Sequence, residues 1–236
     1  MSGEASRTLL LTNDDGVEAP GLSALLAATE GLGTRRVVAP SGAYSGCGHV
    51  VTTHKSIPIN RLADGRWAVD GSPPDCVRVA IDHLVPNFSW VISGINAGGN
   101  LGMDVNHSGT VAAVREAVTH GRPGVAVSHY IARDRSIDWP RAGRWAHGVL
   151  GRLLDRPWEP GTFWNVNLPH PGPDAPDPDV VFCALDPSPL PLAYRVERDG
   201  RSARYCGDYQ SRARVPGQDV DVCFGGRIAV TLIRLI

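Results

Sequence analysis

The chain has 236 residues, 42% of them hydrophobic, and its 23 basic residues nearly balance 24 acidic ones, for a net charge of −1. This length suits one large domain, or one domain with an appendage, which buries enough surface to fold without disulfide or metal staples. Binding to nucleic acid or membrane by bulk charge needs a clustered excess of Lys and Arg, so the balance predicts that neither is a partner.

The N-terminal segment and the cysteines indicate the cellular compartment in which the protein is expected. Residues 1–7 are polar and run into the apolar stretch Leu9–Leu11, which is too short for a secretory signal core or a membrane-spanning helix. The five cysteines are odd in number and never stand as C-x-x-C, so no disulfide framework and no zinc or redox motif is predicted. A reducing, cytoplasmic location is therefore expected.

The first half of the chain alternates short apolar runs with helical patterns. Strands are predicted at Thr8–Thr12, Arg36–Ala39, Trp90–Ser93 and Val125–Ser128. Helices are predicted at Pro20–Gly31, from Ser72 to Leu84, and at Gly109–His120. Strands of four or five residues spaced by helices of about ten or more are typical of parallel βαβ units. The pattern therefore predicts an α/β fold with a doubly wound, mostly parallel sheet.

The second half has a different composition. A helix is predicted at Arg141–Leu154 and strands at Phe163–Leu168 and Arg227–Leu235. Between them, eight of the nineteen prolines lie from Pro169 to Pro191, where neither a helix nor a central strand can be sustained. We therefore predict a core at residues 1–168, an extended arm or hairpin at 169–218, and a terminal strand returning to the core within 219–236. The arm is also expected to contact a second subunit, because its apolar and aromatic residues need a covering surface: Leu190, Leu192, Tyr194, Tyr205 and Tyr209.

An acid pair follows the first predicted strand directly, in Asn13-Asp14-Asp15-Gly16. Two adjacent carboxylates repel each other unless water or a cation separates them, and Gly16 allows a turn that brings both to one ion. Their oxygens suit a hard divalent ion such as Mg²⁺ or Mn²⁺. The alternative is a polar turn in which an Asp caps the next helix. A dinucleotide site would need G-x-G-x-x-G here, and the acids would repel its phosphates.

Two further segments are expected at the same edge, because ligands of open α/β sheets bind beyond the carboxyl ends of the strands. The glycine-rich segment 93–102 carries Asn96 and Asn100, whose amides are suited to contact a ligand; the alternative is a flexible loop. Ser108-Gly109-Thr110 opens a predicted helix, where free amides and hydroxyls suit a phosphate. The alternative there is Ser108 as an ordinary N-cap.

Taken in chain order, five motifs resemble those of the SurE (survival protein E) family of metal-dependent nucleotidases. The motifs are Leu11-Thr12-Asn13-Asp14-Asp15-Gly16, Val38-Ala39-Pro40 with Ser45-Gly46, Gly71-Ser72-Pro73-Pro74-Asp75-Cys76, Ser93-Gly94-Ile95-Asn96-Ala97-Gly98, and Ser108-Gly109-Thr110-Val111-Ala112-Ala113 with Glu116. Their order and spacing match over about residues 8–128, whereas the proline-rich stretch matches nothing.

The resemblance implies a Rossmann-like core whose C-terminal extension assembles a homodimer or homotetramer. It also implies one divalent ion, Mg²⁺ or Mn²⁺, held by Asp14, Asp15, Ser45 and Asn96. The implied reaction is hydrolysis of nucleoside 5′-monophosphates, and also of 3′-monophosphates, to nucleoside and phosphate. The loop at residues 41–44 carries fewer charged residues than the family pattern, which leaves substrate preference open.

Roles for individual residues follow from the charges of a phosphate monoester, which must be neutralised and positioned for attack by water. The residues expected to act in catalysis are Asp14, Asp15, Asn96 and Ser108, and those expected to bind substrate are Asn100, Ser108, Gly109 and Thr110. The ion is expected to polarise a phosphoryl oxygen and to activate a water molecule. His107 is a candidate for protonating the leaving ribose oxygen.

Other functions stay open on the same fold. A non-catalytic nucleotide-binding protein would be favoured by loss of an acid, and both acids are present. A polyphosphate-directed phosphatase would use the same site. A metal-dependent deacetylase or esterase would want histidines beside the acids, and none stands near Asp14 in the sequence.

Overall fold

The computed structural model describes residues 7–44, 46–133 and 135–235. The strands among these residues are β1 (Thr8–Thr12), β2 (Thr34–Pro40), β3 (Ile59–Ala63), β4 (Arg66–Val69), β5 (Trp90–Ala97), β6 (Gly124–His129), β7 (Thr162–Leu168), β8 (Val180–Phe182), β9 (Tyr194–Val196), β10 (Ala203–Tyr205) and β11 (Ile228–Arg234). The α-helices are α1 (Pro20–Ala28), α2 (Pro73–Val79), α3 (Gly109–Thr119), α4 (Trp139–Leu154) and α5 (Asp219–Phe224). A π-helical turn (Ala80–Leu84) continues α2, and a 3-10 helix (Gly102–Asn106) precedes α3.

One sheet contains nine of the strands just described, in the order β3-β4-β2-β1-β5-β6-β7-β11-β8. From β4 to β7 all neighbours run parallel, whereas β3 is antiparallel to β4 and β11 is antiparallel to β7. The strand order reverses at β1, which lies between β2 and β5, and such a reversal leaves a crevice beyond the carboxyl ends of the strands. The predicted α/β fold with a doubly wound, mostly parallel sheet is confirmed.

Helices cover both faces of the sheet because successive strand residues point to opposite sides. On β1, Leu9 and Leu11 pack in one cluster with residues of α1 and α4, including Leu25 and Leu150. Leu10 belongs to a second cluster, formed with residues of α2 and α3. Burial on both faces explains why β1 reads as a continuous apolar run.

The predicted strands and helices are present, with shifted ends. Helix α1 ends at Ala28, three residues before Gly31, and β5 continues to Ala97, so Asn96 belongs to a strand end and not to the loop that was expected. The hairpin of β3 and β4 and the helix α5 had no counterpart in the prediction. All five residues of β3 are exposed, which removes the apolar alternation that marks a strand.

The proline-rich segment contains both exposed and buried parts. Short β8 joins the sheet beside β11, and β9 pairs with β10 in a separate antiparallel hairpin. Tyr194 and Val196 of the hairpin and Leu192 just before it are exposed, but Arg212, further along the same segment, is buried. The limits of the core, arm and terminal strand remain a prediction.

Within the residues that the structure describes, no helix combines the length and the apolar character needed to cross a bilayer.

The start of α2 has the predicted cap, and it also holds a distant loop. Ser72 Oγ accepts from the Asp75 N–H at 3.2 Å, and Asp75 Oδ2 accepts from the Ser72 N–H at 3.0 Å, which completes a capping box. Asp75 also accepts from the N–H and the hydroxyl of Thr52, at 2.7 and 2.8 Å. One buried carboxylate therefore joins the helix start to the segment that follows β2.

We expect Asp75→Ala to lower the free energy of unfolding by about 1–3 kcal/mol, because it removes a helix cap and leaves buried donors without an acceptor. Urea unfolding followed by circular dichroism measures the change. Asp82→Ala is the matched control, since Asp82 is an exposed acid in the π-helical turn. Equal unfolding midpoints for the two variants would contradict this account of the cap.

Candidate active site

The acid pair lies in a sharp turn immediately after β1. Gly16 has a φ of +104°, and a Cβ there would lie 3.2 Å from the carbonyl carbon of Gly42, so this turn requires glycine. The turn is tied to the segment after β2, because the Tyr44 N–H donates to the Asp14 carbonyl at 2.7 Å. Neither acid caps α1, whose N-cap is Ala19 without a side-chain bond, so that alternative interpretation of the turn is wrong.

The Asp14 side chain is nearly removed from water, with 5% of the residue exposed. Burial raises its pKa to about 6, although a hydrogen bond from Thr110 opposes the shift. That bond runs from the Thr110 hydroxyl to Asp14 Oδ1 at 2.6 Å. A Cβ on Gly109 would lie 2.9 Å from the Asp14 Cβ, so only glycine lets α3 approach this closely. The first turn of α3 therefore holds the Asp14 carboxylate.

Asp15 and Asn96 meet where the ends of β1 and β5 lie side by side. The Ala97 N–H donates to Asp15 Oδ2 at 3.3 Å, which links Asp15 to the strand end that carries Asn96. The Asn96 amide nitrogen donates to the Gly98 carbonyl at 2.7 Å. Because the nitrogen is engaged there, the amide oxygen is the atom that Asn96 offers to a ligand.

Asn100 is held in a network of buried polar groups. Its N–H donates to Asn167 Oδ1 at 2.8 Å, and its carbonyl accepts from the amides of Asn165 and Asn167. The Asn100 side-chain nitrogen donates to Ser128 Oγ at 2.7 Å. These bonds fix the segment, so it is not the flexible glycine-rich loop of the alternative interpretation.

Ser108 is the N-cap of α3, as the alternative interpretation of that segment held. Its hydroxyl oxygen accepts from the Val111 N–H at 3.0 Å. The hydroxyl hydrogen is still available, and Ser108 and the neighbouring His107 both line the same cleft as the acid pair. The cap and a ligand contact are therefore compatible.

A loop after β2 forms another side of the cleft through Gly46. His49, further along this loop, contacts Glu116 of α3, with His49 Nε2 2.6 Å from Glu116 Oε2. Although burial opposes it, the hydrogen bonds of His49 and His120 keep the pKa of Glu116 below its usual value. The carboxylate therefore stays charged and anchors the loop to α3. Ser45, the implied fourth metal ligand, lies outside the described residues.

The far wall of the cleft comes from residues that were not predicted to belong to the site. Asp104, in the 3-10 helix, accepts from the Tyr209 hydroxyl at 2.5 Å and from Arg212 Nη1 at 2.8 Å. Asp104 had a usable signal, because it stands four residues before Ser108, between two motifs. Tyr209 had none, since it follows the hairpin in a segment without periodicity and was expected to face a second subunit.

Together these elements enclose a cleft of about 290 Å³. It is lined by Asp14, Asp15, Gly46, Asn96, Ala97, Gly99, Asn100, Asp104, His107, Ser108 and Tyr209. A larger groove, of about 860 Å³, lies between α1 and α4 and contains none of the predicted site residues. Chemistry, and not cavity size, therefore identifies the candidate site.

The donor set fits a hard divalent cation. Two carboxylates and one amide oxygen, from Asp14, Asp15 and Asn96, converge beside a helix start. In the described part of the chain, no group of three or more His, Cys, Asp and Glu side chains is arranged so that it could hold a metal ion. A cation here therefore depends on the amide oxygen and on further ligands beside the two acids.

Comparison with known proteins gives one consistent family. The family model described as survival protein SurE matches residues 9–185. A Nostoc sp. (strain PCC 7120) protein, provisionally named a 5′-nucleotidase, is 51% identical over 228 residues, which cover 97% of this chain and all of that protein. A Geobacter sulfurreducens protein named 5′-nucleotidase SurE is 36% identical over 230 residues, covering 96% of this chain and 87% of that one.

A solved structure agrees with the fold and the family. The crystal structure of the SurE protein from Aquifex aeolicus superposes with a TM-score of 0.85 at 27% identity. The alignment covers 97% of this chain and 94% of that one. Since the family model spans most of the chain and full-length relatives share more than 30% of its residues, the chain belongs to the survival protein SurE family.

Proposed function

We propose that this protein is a metal-dependent 5′-nucleotidase, which hydrolyses nucleoside 5′-monophosphates to nucleoside and phosphate in the cleft at the end of β1. The observation that carries the proposal is the acid pair, with Asp14 buried against the first turn of α3. The names of the relatives support the same reaction. Nucleoside 3′-monophosphates and polyphosphate are further substrates to be tested.

Asp14, Asp15 and Asn96 are the residues that would hold the divalent ion, with Ser45 added by family resemblance. Mg²⁺ or Mn²⁺ suits their oxygen atoms. When bound, such an ion supplies Lewis-acid stabilisation of the negative charge on the phosphoryl group. Thr110 takes the role of holding Asp14, because its hydroxyl is already engaged with that carboxylate.

Ser108 and the backbone of Gly109 are the groups proposed to bind the phosphate. They lie at the N-terminus of α3, where unpaired N–H groups and the helix dipole favour an anion. Asn100 borders the same space on a segment fixed by Asn165 and Asn167, and its proposed role is to orient the substrate. Water is the proposed nucleophile, and His107 remains the candidate proton donor for the leaving ribose oxygen.

Assembly through the hairpin of β9 and β10 is part of the proposal, as a homodimer or homotetramer. Leu192 is 84% exposed, and Tyr194, Val196 and Tyr205 are exposed beside it. Apolar and aromatic side chains grouped in this way need a covering surface, and a second copy of the chain is the simplest one. A cytoplasmic location, without nucleic-acid or membrane partners, remains the expectation from composition.

We expect phosphate release from AMP to need a divalent ion, and Asp14→Asn or Asp15→Asn to reduce it to near background, because each removes a charged oxygen ligand. Phosphate release is measured over 5′- and 3′-mononucleotides and polyphosphate with Mg²⁺, Mn²⁺ or EDTA. Asp82→Asn, an exposed acid away from the cleft, is the matched control. Full turnover by dialysed protein in excess EDTA would exclude the metal-dependent reaction.

Ser108→Ala is expected to lower kcat/KM by an amount equivalent to about 1–3 kcal/mol, the usual cost of a lost hydrogen bond to a charged group. Circular dichroism separates this loss from weaker capping of α3. Ser23→Ala, on the exposed face of α1, is the control. If Ser108→Ala keeps the wild-type efficiency, the phosphate is bound elsewhere.

The protein is expected to sediment as a dimer or larger, and a variant with Leu192→Ser, Tyr194→Ser and Val196→Ser is expected to shift towards monomer. These substitutions leave Arg212 and the rest of the buried segment in place, which deletion of the whole arm would not. Analytical ultracentrifugation at micromolar concentration makes the measurement. An active wild-type monomer would rule out the hairpin as an assembly element.

A further inference from the structure

We propose that Asp104 recognises the ribose of the substrate by accepting hydrogen bonds from its 2′- and 3′-hydroxyls, and that Tyr209 and Arg212 position it. The inference rests on the proposed function, because it names the part of a nucleotide that the far wall of the same cleft binds. The metal and phosphate assignments leave this wall without a role.

The Asp104 carboxylate has one occupied oxygen and one open oxygen. Oδ2 accepts from the Tyr209 hydroxyl at 2.5 Å, from Arg212 Nη1 at 2.8 Å and from the Leu101 N–H at 3.3 Å. Oδ1 has no hydrogen-bond donor among the residues that the structure describes. The side chain is 16% exposed and lines the cleft, so a ligand bound there lies beside a carboxylate with an unused acceptor oxygen.

The two positioning residues hold this carboxylate in place. The Arg212 side chain is fully buried, and although burial opposes its charge, Asp104 outweighs that effect and raises its pKa. Burial, together with the charge of Asp104, raises the pKa of Tyr209, so its hydroxyl stays protonated and donates. An ion pair and a second donor thus fix the direction of the open oxygen before substrate arrives.

Asp104 is not a third carboxylate of the metal site. In residues 7–44, 46–133 and 135–235, no group of three or more acids, histidines and cysteines is arranged so that it could hold a metal ion. The charge of Asp104 is already compensated by Arg212, whereas the pair Asp14–Asp15 has no such partner among the described side chains. Asp104 presents a hydrogen-bond acceptor to the cleft, so the matching group on a ligand is a hydrogen-bond donor.

The position of Asp104 in the cleft favours the sugar as the part of the substrate that donates hydrogen bonds to it. Asp104 stands four residues before the N-cap Ser108, and both residues line the same cleft of about 290 Å³, so a ligand whose phosphate lies at Ser108 has its sugar on the side of Asp104. The ribose is bonded directly to the phosphate of a mononucleotide, and its 2′- and 3′-hydroxyls are two neighbouring donors. The amino groups of a base stand farther from the phosphate, because the sugar separates the base from it.

The test is steady-state hydrolysis of AMP, 2′-deoxy-AMP, 3′-deoxy-AMP and p-nitrophenyl phosphate in the presence of Mn²⁺. The proteins compared are the wild type, Asp104→Asn, Tyr209→Phe and the matched control Asp208→Asn. Asp208 precedes Tyr209 directly and pairs with exposed Arg133 at 2.9 Å, away from Asp104. p-Nitrophenyl phosphate has no sugar, so it separates effects on the ribose from effects on the phosphate or the fold.

The wild type is expected to prefer AMP to either deoxy substrate. Asp104→Asn is expected to lose about ten- to a hundredfold in kcat/KM for AMP, mainly through KM, because the contact exists in ground and transition states alike. Its activity on p-nitrophenyl phosphate is expected to stay within about twofold of the wild type. Asp208→Asn is expected to follow the wild type on every substrate.

Tyr209→Phe keeps the buried ring and removes one donor from Asp104, so the same AMP-specific loss is expected at about two- to fivefold. This variant decides the question if Asp104→Asn, which leaves Arg212 buried without its counter-charge, does not fold by circular dichroism. Equal losses on AMP and p-nitrophenyl phosphate, or an unchanged preference for AMP in a folded variant, would overturn the ribose assignment.

Failure of the proposed function has a different signature. In that case the wild type releases phosphate from none of the nucleotides. Calorimetric titration with adenosine and with 2′-deoxyadenosine then decides the ribose assignment without turnover. Tighter binding of adenosine that Asp104→Asn or Tyr209→Phe abolishes would support it, and equal binding of the two nucleosides would exclude it.

Discussion

Burial of the Asp14 carboxylate is the constraint on which this end of the sheet depends. A carboxylate nearly removed from water needs donors or a cation, and its donor Thr110 stands 96 residues further along the chain. The helix can bring that donor only because Gly109 has no side chain to collide with Asp14. The start of α3 is thereby held beside the acid pair, so satisfying one buried charge also places an anion-binding helix end at the same cleft.

The parts of the fold that could be predicted are those whose signal is local. The apolar run of β1 predicts a buried strand, and the spacing of Ser72 and Asp75, three residues apart, predicts the cap of α2. The hairpin of β3 and β4 could not be found in this way. Every residue of β3 is exposed, so β3 has no apolar pattern of its own, and it is a strand because it pairs with β4. Helix α5 has only six residues, and packing against β11, not its own propensity, holds it.

The residues of the candidate site also fall into those with a local sequence signal and those placed only by contacts between distant parts of the chain. The acids and the start of α3 could be predicted because they follow strand ends, which meet at one edge of a parallel sheet. Spacing in the sequence could not show that the Thr110 hydroxyl donates to the Asp14 carboxylate. Contacts of Tyr209 and Arg212 with Asp104 span 105 and 108 residues, so no local pattern carries them.

The position of β11 in the sheet determines which strands can pair while the chain is being synthesised. Strand β11 lies between β7 and β8, and Asp219, just ahead of it, accepts from the N–H groups of Gly102 and Asp186 at 2.8 Å. While the chain is still on the ribosome, β1 to β7 can therefore pair before the turn around Asp104 has its support. During that interval the edge of β7 is open to strands of other nascent chains, as unpaired edges are in general.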